Sequence, residues 1–115
     1  MRTITERKVG EQATIPRGDD FPVQPPVHPG EVLLEEFLKP MGLTQTEAAQ
    51  RMSIPIVRMN ELVNARRGVT ADTALRLARL FGTTPQFWLN MQAEVDLYEA
   101  RLKQLRRESI ASSSI

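Results

Sequence analysis

Residues 43–63 carry the pattern that most constrains how this chain folds: two short helices joined by a tight turn. Thr44 and Glu47 have the spacing of a capping box, in which the hydroxyl and the carboxylate each accept a hydrogen bond from the other residue's backbone N–H. The apolar residues that recur at helical spacing in the second half of the stretch are Ile54, Met59 and Leu62. A second helix held out from a compact body in this way can enter the major groove of DNA, so the stretch predicts DNA binding.

The charge distribution supports this interpretation more than the net charge does. The 115-residue chain is long enough for one domain, and its formal net charge is only +1. Residues 51–79 contain two acidic residues, Glu61 and Asp72, against six arginines: Arg51, Arg58, Arg66, Arg67, Arg76 and Arg79. This imbalance predicts one basic face on a nearly neutral body, as expected for binding to nucleic acid. The alternative is that these arginines are merely good helix formers with solvated head groups.

The residue patterns that are typical of catalytic and metal sites are missing from the sequence. There is no cysteine, so neither disulfides nor thiolate metal sites can form. His28 is the only histidine, which excludes a histidine-based metal cluster or catalytic triad. No glycine-rich phosphate loop is present, and the adjacent Glu35 and Glu36 would point about 100° apart on a helix. We therefore expect a protein that is not an enzyme and that has neither a metal nor a cofactor.

Nothing in the sequence indicates a secretory or membrane segment. The N-terminus lacks the apolar core that a signal peptide needs, and no apolar run approaches the length of a membrane span. The expected location is the cytoplasm, with no membrane partner.

Composition divides the chain into three parts. Residues 1–27 are poor in large apolar side chains and contain four prolines, which prevent a continuous helix and predict a flexible leader. The alternative for this part is an arm that becomes ordered on a partner. Residues 28–108 are expected to form the folded domain, and residues 109–115, which include three consecutive serines, a disordered tail.

Start and stop signals predict five helices in the folded part. Pro29 suits the first turn of a helix because its missing N–H would be unpaired there, and Pro40 and Gly42 are expected to end that helix. Thr70 can cap a later helix, and Gly82 supplies its end. No stretch beyond the leader alternates with period two for long enough to predict a strand.

The last predicted helix, which begins at residues 84–85, carries a separate signal. Its apolar residues recur three or four apart in a heptad-like seam, and the predicted dimerisation residues are Met91, Val95, Tyr98, Leu102 and Leu105. A helix extending toward Arg107 would outrun a four-helix body, so its distal half needs another surface, and a homodimer is the simplest source. The alternative is a helix that folds back and ends near Tyr98. Trp88 and Leu89 lie off the seam and are expected to fill the core.

Three segments give the chain a resemblance to a known family: residues 28–38, residues 64–70, and residues 74–78 running into 85–92. The most specific element is Pro85-x-x-Trp88-Leu89-x-x-Gln92 in the last segment, because most helix-turn-helix domains lack this motif after their fourth helix. The chain resembles the Xre, or Cro/C1-type, helix-turn-helix family, and within it the HigA (VapI-type) antitoxins of bacterial toxin–antitoxin modules.

The resemblance covers roughly residues 28–98 and implies both a fold and a function. The fold is all-α: a five-helix, lambda-repressor-like helix-turn-helix domain with a flexible N-terminal leader and an extended C-terminal helix, which dimerises through its C-terminal elements. The implied function is to neutralise a HigB-type toxin, a small ribosome-dependent mRNA endonuclease, and to repress the operon of both proteins by binding an inverted repeat in double-stranded DNA. Two other functions stay open: a solitary Xre-type repressor, or a protein-binding module without DNA binding.

Residue by residue, the resemblance also implies the DNA contacts. The matching positions are, in chain order, Gln45, Ile56, Val57, Arg58, Glu61, Asn64, Arg66 and Arg67. Gln45, Asn64 and the two loop arginines match phosphate contacts. Residues 56–58 match the front of the recognition helix, where base edges are contacted, and Glu61 lies one turn further along.

The start of the recognition helix departs from the family pattern. Pro55 stands where a serine or glycine often caps this helix, and residues 56–57 are apolar instead of polar. Apolar side chains can contact thymine methyl groups, while Arg58 can bond guanine O6 and N7, a contact that contributes about 1–3 kcal/mol of discrimination. The alternatives are a surface ion pair between Arg58 and Glu61, a helix C-cap role for Asn64, and an antitoxin that has lost DNA binding.

Overall fold

A computed structural model of the chain describes residues 24–113, with side chains as far as residue 109. Five helices follow one another: α1 at residues 29–41, α2 at Gln45–Met52, α3 at Ile56–Val63, α4 at Ala71–Phe81 and α5 at Pro85–Ser113. The described residues contain no strand, which confirms the all-α prediction. The predicted leader, residues 1–27, lies outside the described part except for its last four residues.

α1 is a continuous helix with a wider middle. Its three stretches are α-helical Pro29–Val32, π-helical Leu33–Leu38 and α-helical Lys39–Met41. The backbone N–H of Lys39 donates to the carbonyl of Leu34, five residues earlier. The helix ends at Met41, one residue after Pro40, and the turn before this proline uses five-residue spacing because proline disrupts the four-residue spacing of an α-helix. Gly42, with a φ of 63°, ends the helix as predicted.

The two central helices begin in different ways. The Thr44 hydroxyl accepts a hydrogen bond from the backbone N–H of Glu47 at 3.0 Å, and the Glu47 carboxylate accepts one from the backbone of Thr44 at 2.9 Å, which confirms the capping box of α2. These bonds from Thr44 hold the pKa of the Glu47 carboxyl below its usual value. α3 follows Pro55, whose side chain makes no capping bond. The first turn of α3 therefore lacks the side-chain cap that α2 has.

The core lies between α1, α2, α3, α4 and the first part of α5. Its largest fully buried side chains are Trp88, Leu33, Leu38, Met59, Leu62, Leu77 and Pro29. Gly30 lets α1 approach α3 closely, because a Cβ at this position would overlap the backbone carbonyl of Leu62. The ring of Trp88 packs against that of Phe37 at a tilt of 49°, with 5.2 Å between the ring centres, and its indole N–H donates to the Thr83 hydroxyl at 2.7 Å. Trp88 is fully buried, so its predicted place in the core is confirmed.

α5 is much longer than the body beside it. Neither glycine nor proline follows Pro85, and the helix runs for 29 residues, about 43 Å at 1.5 Å per residue. It continues past Tyr98, so the alternative of an early end does not hold. Residues 109–113, predicted to belong to a disordered tail, form its last turn because no helix breaker separates them from the rest. No helix within residues 24–113 has the length and apolar character needed to cross a lipid bilayer.

The predicted dimerisation seam of α5 divides into two parts. Met91 packs against the core, and Val95 is only 8 % exposed in the single chain. Val95 therefore offers little surface to a second chain, whereas Met91 is half-buried. Tyr98, Leu102 and Leu105, further along the helix, are half-buried. Dimerisation through the residues of this seam stays a prediction.

Gln92 ties α5 to the loop between α3 and α4. Its Oε1 accepts a hydrogen bond from the backbone N–H of Val69 at 2.8 Å, and its Nε2 donates to the Asp96 carboxylate at 3.0 Å. Gly68 leaves room for this amide, because a Cβ there would lie only 2.9 Å from the Gln92 nitrogen. The glutamine at the end of the Pro-x-x-Trp-Leu-x-x-Gln motif thus fixes the loop that follows α3.

We expect Gln92→Ala to lower the free energy of unfolding by about 1–3 kcal/mol, because the N–H of the buried Val69 loses its acceptor. Gln104→Ala, at an exposed position of the same helix, is the matched control and should change stability by less than about 0.5 kcal/mol. Urea unfolding followed by circular dichroism measures both. Equal losses in the two variants would contradict a specific role for the Gln92 hydrogen bond.

Candidate nucleic-acid interface

α3 buries one side and presents the other to solvent. The buried residues are Met59, Leu62 and Val63. Its first turn exposes two apolar side chains, Ile56 at 48 % and Val57 at 64 %. Because residues three and four apart share one side of a helix, these two continue into a row of polar residues. We call the resulting set the outer face of α3: Ile56, Val57, Asn60, Glu61 and Asn64.

Asn60 is a member of the outer face that the sequence did not single out. It is exposed, and its side-chain amide lies 3.5 Å from the Oε1 of Gln45, a weak contact that joins α3 to the first residue of α2. Its spacing from Ile56 and Val57 was the available signal, since it follows them by four and three residues. An asparagine amide has a donor and an acceptor that match the N6 and N7 atoms of adenine.

Asn64 and the loop that follows lie next to the outer face. Asn64 caps the C-terminus of α3, with its side-chain amide donating to the carbonyl of Asn60 at 2.8 Å, so the C-cap alternative describes its contact in the single chain. Arg66 and Arg67 are both exposed, but Arg67 forms an ion pair with Glu61 at 2.8 Å. The loop therefore places two cations beside the outer face, one of which shares its charge with a carboxylate.

Arg58 points away from the outer face and toward α4. Its Nη2 donates to the Thr73 hydroxyl at 2.9 Å and lies 3.3 Å from the Asp72 carboxylate. Its side chain is 28 % exposed, and its Nε is buried with no hydrogen-bond partner in the described part of the chain. The ion pair considered from the sequence was with Glu61; the structure pairs Arg58 with Asp72 instead, because the side chain leaves α3 on the side that faces α4.

Asp72 connects three helices. The carboxylate that faces Arg58 of α3 also accepts a hydrogen bond from Arg76 Nε at 2.9 Å, and Arg76 Nη1 donates to the carbonyl of Met52, the last residue of α2, at 2.7 Å. The guanidinium of Arg76, and then that of Arg58, holds the pKa of the Asp72 carboxyl below its usual value. A carboxyl whose pKa is lowered remains ionised at neutral pH, so the network keeps its charges under ordinary conditions.

The arrangement suits binding to a nucleic-acid duplex. A narrow helix face with an apolar first turn and a central amide can contact base edges in a groove, while the loop cations reach phosphates beside it. Among residues 24–113, no three side chains of the histidine, aspartate or glutamate type come together in a way that could hold a metal ion.

Comparison with known proteins supports this assignment. The family model described as helix-turn-helix matches residues 34–88. Virulence-associated protein I of Dichelobacter nodosus is 51 % identical over 84 residues, which cover 73 % of this chain and 76 % of that protein. Antitoxin HigA-1 of Vibrio cholerae is 46 % identical over 77 residues, covering 66 % and 71 % of the two chains.

A solved structure of Pseudomonas aeruginosa antitoxin HigA with the higBA promoter matches with a TM-score of 0.65 at 40 % identity. The match covers 72 % of this chain and 94 % of that one. Fold and sequence thus agree over nearly the whole length of that relative. The chain belongs to the HigA (VapI-type) antitoxin family of the Xre, or Cro/C1-type, helix-turn-helix proteins.

Proposed function

We propose that this protein is the DNA-binding antitoxin of a type II toxin–antitoxin module, which represses its own operon and neutralises a HigB-type toxin. The observation that carries the DNA-binding part is the outer face of α3, with Ile56 and Val57 exposed beside a cationic loop. Family membership supports it, since the related Pseudomonas aeruginosa antitoxin HigA was solved with promoter DNA. A protein with this function works in the cytoplasm, where the DNA of the operon lies.

The contacts divide into base contacts and phosphate contacts. Ile56 and Val57 contact thymine methyl groups, and Asn60, one turn further along α3, forms hydrogen bonds with an adenine. Arg66, which is exposed and has no acidic partner in the described residues, meets a phosphate, and Gln45 does so at the start of α2. Arg67 reaches a phosphate once its ion pair with Glu61 opens or is shared.

The repressing species is a homodimer. Two copies joined through the distal part of α5, where Tyr98, Leu102 and Leu105 lie, place two recognition helices about 34 Å apart. The operator is then an inverted repeat with half-sites one helical turn apart. Several phosphate contacts in each copy make the affinity steeply dependent on salt.

Two substitutions separate the proposed base and phosphate contacts. We expect Asn60→Ala to weaken binding to the operator by about 1–3 kcal/mol and to leave binding to a scrambled duplex nearly unchanged. We expect Arg66→Ala to weaken binding to both duplexes by a similar factor and to reduce the salt slope by about 1. Fluorescence anisotropy with a duplex from upstream of the operon, measured across a salt series, gives all of these values.

Arg79→Ala is the control for the loss of one positive charge, because Arg79 lies on α4 beside the carboxyl end of α2, away from the outer face of α3. It should change either affinity much less than Arg66→Ala does. Equal losses for Asn60→Ala on the operator and the scrambled duplex would contradict the base contact. Weak and equal binding of the wild-type protein to both duplexes would overturn the repressor function itself.

Toxin neutralisation is tested by co-expression. A HigB-type protein encoded beside the gene of this chain should arrest growth when expressed alone, and co-expression of this protein should restore growth, with an empty vector as the control. Purification through a tag on the toxin should then recover both proteins. Persistent arrest while both proteins are soluble would contradict the antitoxin function and would favour a solitary repressor.

A further inference from the structure

The guanidinium of Arg58 has no edge left for a bidentate contact with a base. Such a contact uses two neighbouring N–H groups, either Nη1 with Nη2 or Nε with Nη2, and Nη2 belongs to both edges. In this structure Nη2 faces two acceptors on α4, the Thr73 hydroxyl at 2.9 Å and the Asp72 carboxylate at 3.3 Å. Both of its hydrogens are therefore engaged within the protein.

The edge formed by Nε and Nη2 is also blocked by burial. The Nε of Arg58 is buried and has no acceptor in the described residues, although an unpaired buried donor is costly. In this orientation Nε is left unpaired, while Nη2 is directed from α3 toward its two acceptors on α4. This orientation serves a contact with α4 and not a contact with solvent or DNA.

The contact with α4 starts from the first turn of α3, which has no side-chain cap. α3 has eight residues and begins after Pro55, which provides no side-chain cap. Arg58 lies in that first turn, and its bonds to Asp72 and Thr73 reach the first turn of α4. These bonds tie the first turn of α3 to the first turn of α4.

The anchor on α4 is itself fixed. Asp72 accepts a second hydrogen bond from Arg76 at 2.9 Å, and Arg76 holds the last carbonyl of α2 at 2.7 Å. Movement of Asp72 would therefore disturb α2 as well. Through this chain of bonds, the direction of α3 is set relative to both of its neighbours.

We propose that Arg58 is a positioning residue, which sets operator specificity by holding α3 against Asp72 and Thr73 of α4 and not by contacting a base. The inference rests on the proposed operator binding. The base contacts belong to Ile56, Val57 and Asn60, whose distances to the groove floor depend on this anchorage.

A double-mutant cycle tests the proposal, with the ratio of operator affinity to scrambled-duplex affinity as the readout. Arg58→Gln and Asp72→Asn should each lower this ratio by about tenfold, the size of one lost base contact. The double variant should be no worse than the more affected single variant, because both changes break the same bond. The ratio cancels the general effect of removing a charge near DNA. Since Arg58 touches no phosphate, Arg58→Gln should leave the salt slope of operator binding unchanged.

Two further variants control for charge and for folding. Thr73→Val removes the other acceptor of Arg58 without changing any charge, and it should lower the ratio in the same direction as Asp72→Asn. Glu35→Gln breaks a comparable exposed ion pair on α1, that with Lys39 at 2.9 Å, and should leave the ratio unchanged. Circular dichroism checks that each variant is folded. If Asp72→Asn is not folded, Thr73→Val takes its place in the test.

The opposite mechanism gives an opposite result. If Arg58 contacts a base, Asp72→Asn and Thr73→Val release its guanidinium, so the ratio stays constant or rises while Arg58→Gln alone lowers it. That outcome overturns the proposal. If the wild-type protein shows no preference for the operator, the proposed DNA-binding function fails and the inference fails with it.

Discussion

The two central helices are each eight residues long, shorter than the roughly 12–15 residues that an isolated helix needs in water. Their stability must therefore come from caps and from contacts with the rest of the domain. α2 has a reciprocal cap between Thr44 and Glu47. α3 lacks a side-chain cap and depends on packing, most closely where Gly30 of α1 lets the two backbones meet at Leu62. The candidate interface is thus built on a short helix without a side-chain cap, whose position is set by the helices around it.

Signals confined to one helical turn could be predicted from the sequence. The capping box of α2 and the glycine that ends α4 at position 82 depend only on residues three or four apart, and the structure confirms both. Pro40 and Gly42 likewise marked the end of α1, but the π-helical spacing of the turn before Pro40 has no simple sequence signature. The helical period also places Asn60 on the same side of α3 as Ile56 and Val57, although Asn60 was not among the predicted DNA contacts.

The partners of Arg58 could not be predicted in the same way. Asp72 and Thr73 lie 14 and 15 residues further along the chain, so their position depends on how α4 packs against α3. A surface ion pair within α3 was the alternative that local spacing offered, and Glu61 instead meets Arg67 from the following loop. The candidate DNA contacts at Gln45, Arg66 and the other matching positions came from the family resemblance, and their roles remain proposals.

The ion pairs within residues 51–79 reduce the positive charge that this segment can offer to DNA. Of the six arginines between positions 51 and 79, three engage the two carboxylates of that segment: Arg58 and Arg76 at Asp72, and Arg67 at Glu61. Arg51 lies one turn from Glu47 of α2 and, after the bonds from Thr44, helps to lower the pKa of that carboxyl, whereas Arg66 and Arg79 form no ion pair in the described part of the chain. The local positive field is therefore weaker than the count of arginines suggests, and a larger share of discrimination between DNA sequences has to come from close fit.

Close fit requires that the apolar first turn of α3 be held in a fixed position. Ile56 and Val57 carry no hydrogen-bonding group, so their contribution depends on van der Waals contact with thymine methyl groups, which weakens by a quarter to a half for a gap of roughly 0.5–1 Å. Long polar side chains could adjust their reach to a displaced helix, whereas short β-branched side chains have few rotamers with which to compensate. A recognition helix of this composition is selective only if its position is fixed. An arginine that anchors the helix then supports the contacts of several neighbouring side chains at once, whereas the same arginine directed at a guanine would contact a single base pair.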